Sequence, residues 1–252
     1  MKKRFIALAL ISALGITACS SSEDAQRDLV ANQGANALYQ QAKKNMEIGN
    51  FSAAAQTLSA IDAQYPFGEL SDQVQLDLIY SYYKSGDNEQ ALATIDRFVR
   101  LNPNHSDVDY AMFMRGLTNM GREKNFLQSF FNIDRADRDP AATKEAFEDF
   151  RRLLERHPES KYAADAKQRM VAIKDRLARY EIAVAKFYMR REAWVAAANR
   201  GRHIIEYYGD TAHTQQALEI MVESYEKIGL EQLRQNSLAT LRLNYPQSDL
   251  VQ

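Results

Sequence analysis

The chain has 252 residues, 46% of them hydrophobic, and its 32 Lys and Arg against 33 Asp and Glu leave a formal charge of −1. That balance excludes a partner chosen by bulk charge, nucleic acid included, while the apolar fraction is ample for a folded core. The one cysteine excludes an intramolecular disulfide, and the sequence has no GxSxG elbow, no HExxH and no Gly-rich phosphate loop to carry catalysis or to hold a metal or cofactor.

The first segment reads as an address. Met1-Lys2-Lys3-Arg4 is basic, and the apolar run Phe5 to Ile16 is too short to cross a bilayer, which takes about 20 residues. Residues 1–18 are therefore expected to be a signal peptide. Ile16-Thr17-Ala18 places small residues before Cys19, as in the lipobox of bacterial lipoproteins, so Cys19 is the expected lipidation site and mature N-terminus. The plainer alternative is a buried cysteine. A single acyl chain holds a membrane only marginally, at about 0.8 kcal/mol per buried CH₂, whereas the three chains usual in such lipoproteins anchor permanently. Ser20 stands where an inner-membrane retention signal has Asp, which points to the outer membrane. Residues 19–34, polar and poor in large apolar side chains, read as a flexible tether.

From Ala35 onward the pattern is helical. Tyr65 to Pro103 forms one complete helix–turn–helix unit: Leu76, Ile79, Tyr80 and Tyr83 share one face of a helix ending near Ser85-Gly86-Asp87. Ala91, Leu92, Ile95, Phe98 and Val99 then share a face of a second helix, stopped at Asn102-Pro103. Gly49 and Pro66, Gly86 and Pro103, and Gly229 and Pro246 are each 17 positions apart. Recurrence at that spacing, with Ala54 and Ala91 supplying the small residue of the second helix, is the pattern of the tetratricopeptide repeat. Arg234 takes that place in the last repeat, as expected of an atypical terminal cap. The predicted fold is all-α, a tetratricopeptide-repeat superhelix of about five helix–turn–helix repeats.

Repeat three pairs a first helix over Val108 to Met120 with a second containing Ala146, Phe147, Phe150, Leu153 and Leu154, stopped at His157-Pro158. Residues 35–140 thus hold the N-terminal repeats, with an insertion at about 121–140, and residues 141–252 hold the second helix of repeat three and the C-terminal repeats. The insertion carries Phe126, Phe130, Phe131 and Ile133, which either pack on the repeats or meet a partner. In repeat four, Tyr162 to Met189 contains no Gly or Pro and reads as one unusually long helix, or as two with a bend near Leu177 to Tyr180. Trp194 sits near the following turn.

No residue set is read as catalytic. His105, His157, His203 and His213 lack ligand spacing and read as surface or helix-end residues, so no metal is expected. Glu145, Glu148 and Asp149 beside Lys144, Arg151 and Arg152 read as a solvated helix face with i, i+4 pairs. Binding is the expected role. Tyr65, Phe67, Tyr80, Tyr82 and Tyr83 supply rings for an extended peptide, and Arg97 and Arg100 supply guanidinium forks for a carboxylate. Tyr80 and Tyr83 have repeat core as their competing reading.

Several blocks carry a more specific resemblance: YPFG at Tyr65, VQLDLIYSYYK, IDRFVRLNP, Met114-Arg115-Gly116-Leu117-Thr118-Asn119-Met120, Phe130-Phe131, Asp137-Arg138-Asp139-Pro140, and Lys174-Asp175-Arg176-Leu177-Ala178. Together they resemble the BamD family, the lipoprotein subunit of the outer-membrane β-barrel assembly machinery. The resemblance implies a scaffold on the periplasmic face of the outer membrane, with no cofactor and no enzymatic activity. It further implies binding to the barrel insertase subunit BamA through that protein's periplasmic domains, contact with accessory Bam lipoproteins, and recognition of the C-terminal signals of unfolded outer-membrane proteins. By position it assigns Tyr65 and Arg100, with Phe67 and Arg97 beside them, to substrate binding, and Arg200 with Trp194 to partner binding. For Arg200 the plainer reading is a solvated helix charge. A reading from another class is an outer-membrane lipoprotein adaptor that regulates a peptidoglycan synthase or hydrolase.

Overall fold

The structure, a computed structural model, describes residues 34–122 and 140–252. Cys19, the signal peptide and all but the ends of the 121–140 insertion lie outside the described residues. Ten helices are described: α1 (Ala35–Glu47), α2 (Phe51–Gln64), α3 (Ser71–Ser85), α4 (Asn88–Leu101), α5 (Val108–Arg122), α6 (Ala141–Arg156), α7 (Ala163–Arg190), α8 (Trp194–Tyr207), α9 (Thr214–Lys227) and α10 (Glu231–Asn244). No strand occurs among the described residues. The fold is all-α and of tetratricopeptide type, and its helices fall into two compact units divided between Pro103 and Asn104.

The turns follow from the glycine spacing. Gly49, Gly86 and Gly229 adopt φ of 78°, 83° and 72°, the left-handed region in which a Cβ is strained. At Gly86 the backbone N–H donates back to Tyr83 O, and that of Asp87 to Tyr82 O, satisfying the last carbonyls of α3. Asn50 and Asp87 then open α2 and α4 by accepting from the N–H groups of Ala53 and Gln90 at 3.3 and 3.4 Å. Glu192 holds the same place between α7 and α8, at φ 58°. It is the one non-glycine among the described residues to do so.

The second helices end alike. Tyr65, Asn102, His157, Tyr208 and Tyr245 cap α2, α4, α6, α8 and α10 with φ between −124° and −137°. Each cap N–H donates to a carbonyl at 2.7–2.8 Å, from Ile61, Phe98, Leu153, Ile204 and Leu241 in turn, and all five of those side chains are buried. Proline follows four of these caps and holds ψ at 55–63°. Gly209 follows the fifth, and Tyr208 relaxes to ψ 25°. The Gly-to-Pro register therefore continues through repeat four, with Glu192 for the glycine and Gly209 for the proline.

In the first unit α1 to α4 pack each on the next. Leu38, Ala42, Ala55, Leu58, Ile61, Val74 and Leu78 form its core cluster, with Tyr39, Met46, Tyr65 and Tyr82 against it. Because α3 is covered by α2 on one side and α4 on the other, it buries Val74, Leu76, Leu78 and Ile79 rather than a single stripe. Tyr80 and Tyr83 are only half-buried, and Tyr80 meets Phe51 edge-on at 5.7 Å.

In the second unit α5 packs on α6, α6 on α7, α7 on α8, α8 on α9 and α9 on α10, and α7 also reaches α9. α7 is one uninterrupted helix of 28 residues, so Leu177 to Tyr180 form no break. At the expected insertion, Gly121 and Arg122 are the last turn of α5, and Pro140 is the N-cap of α6. Phe113 stacks on Tyr162 at 4.8 Å and tilts against Phe150 at 5.8 Å, joining the start of α7 to α5 and α6. Gly116 makes this approach feasible: a Cβ there would lie 2.4 Å from the Phe150 ring.

Two outcomes follow. Gly116→Ala should lower stability by about 1–3 kcal/mol through overpacking against a fully buried ring, whereas Gly49→Ala, with open space around it, should cost only about 1–2 kcal/mol of backbone strain; thermal unfolding of both variants checks the order. At the start of α10, hydrogen bonds from Arg234 and Gln235 draw the Glu231 carboxyl down from 4.5 to about 2. With the folded value below the ordinary one, this stabilisation is complete above about pH 4.5 and is lost as pH falls toward 2. An NMR titration of the Glu231 carboxyl should show that midpoint, and Arg234→Ala should return it toward its ordinary value.

Candidate binding surfaces

The expected substrate residues lie around the α2–α3 turn and the end of α4. Phe67 follows Pro66 in that turn and is 97% exposed, a ring with almost no protein contact. A large apolar side chain left in water is one whose contact with a partner would recover free energy. Tyr65, two residues earlier, differs: it caps α2 and is half-buried against the core cluster.

The two arginines divide the same way. Arg97 in α4 donates to Oδ2 of Asp62 in α2, a residue only 8% exposed. Its guanidinium neutralises a buried carboxylate between two helices, so the fork expected for a ligand is already partly engaged. Arg100, one turn on, is exposed and has no hydrogen bond or ion pair among the described residues. A second buried acid, Asp77, accepts from Tyr39 Oη at 2.7 Å and Gln73 at 3.2 Å, with Lys43 Nζ at 3.6 Å, and so fastens α1 to α3. Burial and Asp77 both push the Tyr39 hydroxyl well above the usual tyrosine range.

In the second unit Trp194 is the first residue of α8, half-buried, with Lys227 Nζ 5.9 Å from its ring centroid. Arg200 is not a purely solvated charge: its Nη1 donates to Glu181 Oε2 in α7 at 3.0 Å, and its side chain stays 39% exposed. Glu181 is fully buried, and its Oε1 lies 3.8 Å from His203 Nε2. Burial opposes the charge on Arg200, but the bond to Glu181 and that carboxylate's charge, with a hydrogen bond to Tyr188 added, outweigh it and raise the guanidinium's pKa. Burial first, and Glu181 second, raise the Tyr208 hydroxyl as well. A depression of about 310 Å³ lined by Tyr188, Ala196, Asn199, Arg200 and His203 opens over this pair.

The acidic group on α6 corrects the solvated-face expectation in one residue. Glu145 and Glu148 are exposed and pair with Arg122 and Arg151. Asp149 is buried, accepting from Asn119 Nδ2 and Arg152 at 2.6 Å each, with Arg115 Nε at 3.1 Å. Burial pushes its carboxyl above the ordinary range against the pull of those three partners. Its position three residues after Ala146 and beside Phe150 puts it on the buried stripe, a signal the sequence does contain. Asp62, four residues after Leu58 and beside Ile61, and Glu181, four after Leu177 and beside Ile182, carry the same mark. Three histidines stand at helix ends and turns: His157 caps α6, His213 precedes α9 and pairs with Asp175 at 3.0 Å, and His105 Nδ1 accepts from the Asp107 N–H, whereas His203 lies within α8, half-buried against Tyr207 and Tyr208.

Helix pairs repeated along the chain, joined by left-handed turns at a fixed spacing, define a helical-repeat scaffold of tetratricopeptide type. A family model described as "Outer membrane lipoprotein" (YfiO) matches residues 31–241. The "Outer membrane protein assembly factor BamD" of Vibrio cholerae serotype O1 is 48% identical over 226 residues, covering 90% of this chain and 92% of that protein. Proteins of the same name from Pasteurella multocida and Neisseria meningitidis serogroup A are 40% and 37% identical, covering 96% and 100% of this chain and 91% and 94% of their own lengths. This chain belongs to the BamD family of outer membrane protein assembly factors.

The contrast between the two arginines of α4 is measurable. Arg97→Ala leaves the buried Asp62 carboxylate unpaired and should cost about 1–3 kcal/mol of stability. Arg100→Ala should stay within about 0.5 kcal/mol of the parent, as surface substitutions do. Urea unfolding of the two variants, compared at one pH and salt, checks this.

Proposed function

We propose that this chain is the scaffold lipoprotein of a β-barrel assembly machine, anchored by lipid at Cys19 to the periplasmic face of the outer membrane. In this reading its second unit docks on the periplasmic domains of a BamA-like barrel insertase, through the surface around Arg200 and Trp194. The first unit receives the C-terminal signal of unfolded outer-membrane proteins, with accessory Bam lipoproteins bound elsewhere. The observation that carries the reading is the likeness, along nearly the whole chain, to relatives named as outer membrane protein assembly factors.

The surface chemistry supports the division of labour. A C-terminal signal of a barrel protein ends in a carboxylate and is rich in aromatic residues. The bare Phe67 ring offers a stacking face, and the unengaged Arg100 guanidinium offers two parallel donors. Tyr65 contributes as the residue that fixes the α2–α3 turn on the core, and Arg97 as the one that fixes α4 against α2. Their roles are to set the surface, while Phe67 and Arg100 touch the ligand.

The test is co-purification of the C-terminally tagged, lipidated protein from detergent-solubilised envelopes. Stoichiometric recovery of a large outer-membrane barrel protein with periplasmic repeats supports the reading, and recovery of a cell-wall synthase or hydrolase in its place overturns it. Arg100→Glu should weaken binding of a synthetic C-terminal peptide of a barrel protein by about tenfold or more in fluorescence anisotropy, as loss of a central arginine anchor does. It should leave recovery of the barrel subunit unchanged.

A further inference from the structure

We propose that Glu181 is a positioning residue for partner docking: its buried carboxylate holds the Arg200 guanidinium at one wall of the depression between α7 and α8 and leaves the outward edge for an acidic group of the partner. The inference rests on the reading of Arg200 as a docking residue and adds the group that orients it.

Glu181 stands midway along α7 among Leu177, Ala178, Ile182 and Ala185, all buried, so its own side chain has little room to move. Oε2 takes Nη1 of Arg200 at 3.0 Å, and Oε1 faces Nε2 of His203 at 3.8 Å. Arg200 and His203 are one helical turn apart on α8, and both line the depression with Asn199 and Tyr188. A carboxylate with only 2% of its side chain exposed is a poor stabilising device in itself, because apolar residues of equal volume hold helices together as well or better. What it does supply is direction. An arginine tied to a rigid acceptor, and hydrogen-bonded to Tyr188 besides, loses most of its rotamer freedom before binding, and 39% of its side chain stays exposed at the depression.

The His203 ring lies against Tyr207 and Tyr208, at centroid separations of 4.5 and 5.5 Å, which fixes an imidazole on the same wall. The depression thus has a buried carboxylate behind its wall and the Arg200 cation on its open rim. An anionic side chain fits the rim. A free arginine on a solvated helix face would offer the same charge without the fixed direction.

A double-mutant cycle separates positioning from a merely structural role. The full-length protein in detergent is titrated with the purified periplasmic domains of the barrel insertase, comparing the parent with E181Q, R200A and the double variant. Positioning requires E181Q, which keeps volume and removes charge, to weaken binding by about five- to tenfold. It also requires that E181Q cost nothing further in the R200A background, because Glu181 acts only through Arg200. Equal losses in both backgrounds, or no loss from E181Q while R200A weakens binding, overturn the inference and leave the docking reading intact. Binding unchanged in R200A overturns the docking reading itself. Should E181Q fail to fold, R200K serves: a lysine held by Glu181 has no second edge, so affinity should fall as far as with R200A, and parental affinity would overturn the proposal.

Discussion

Everything in this array depends on how near a second helix can come to the first. The approach is set at one position, five residues beyond the left-handed turn. Ala54, Ala91 and Ala197 occupy it, Ala146 is its counterpart in repeat three, and none of the four retains exposed surface. A methyl group there lets the backbones close until the residues four further on, Leu58, Ile95 and Phe150, interlock, with Gly201 at that place in α8. Where the position is filled by Arg234, the packing changes: α10 buries only Ser237 and Leu241 and leaves Leu233 and Leu243 in solvent. The last repeat closes the array by having less to bury.

The same close packing explains why charges inside the array come in tied sets. Asp62, Asp149 and Glu181 each lie on a buried helix face, and each is met by an arginine from a neighbouring helix. An unpaired carboxylate in such a place would be strongly destabilising, so these pairs cross helices where apolar contacts would serve stability as well. Their common result is an arginine with one edge inside and one outside. Arg97, Arg115 and Arg200 are all between a third and two-fifths exposed, so the interior charge pattern determines how the surface donors point.

What the sequence made legible was whatever depends on near neighbours along the chain. The three Gly–Pro spacings gave the turns and ends of repeats one, two and five, and the apolar steps through Ile95, Phe98 and Phe150 gave the buried faces. Repeat four hid its register because Glu192 and Gly209 replace the marker residues, although the backbone conformation is kept. The partners of Arg97 and Arg200 were not legible, since 35 and 19 positions separate them from Asp62 and Glu181. No local pattern reports which acid a neighbouring helix will bring. Phe67 was legible as a ring in a Pro–Gly turn, but its near-complete exposure follows from the direction in which the turn leaves α2, a three-dimensional property.

The length of α7 has a further consequence. At 28 residues it is a rod of about 42 Å, twice as long as the other helices of the array, and it contacts α6, α8 and α9. Repeat proteins in which each element touches only its neighbours melt and refold piecewise, with each repeat contributing its own small equilibrium. A shared rod removes that freedom, because α7 cannot loosen from one neighbour without loosening from all three. The repeats on either side of α7 thus share an element rather than only an interface.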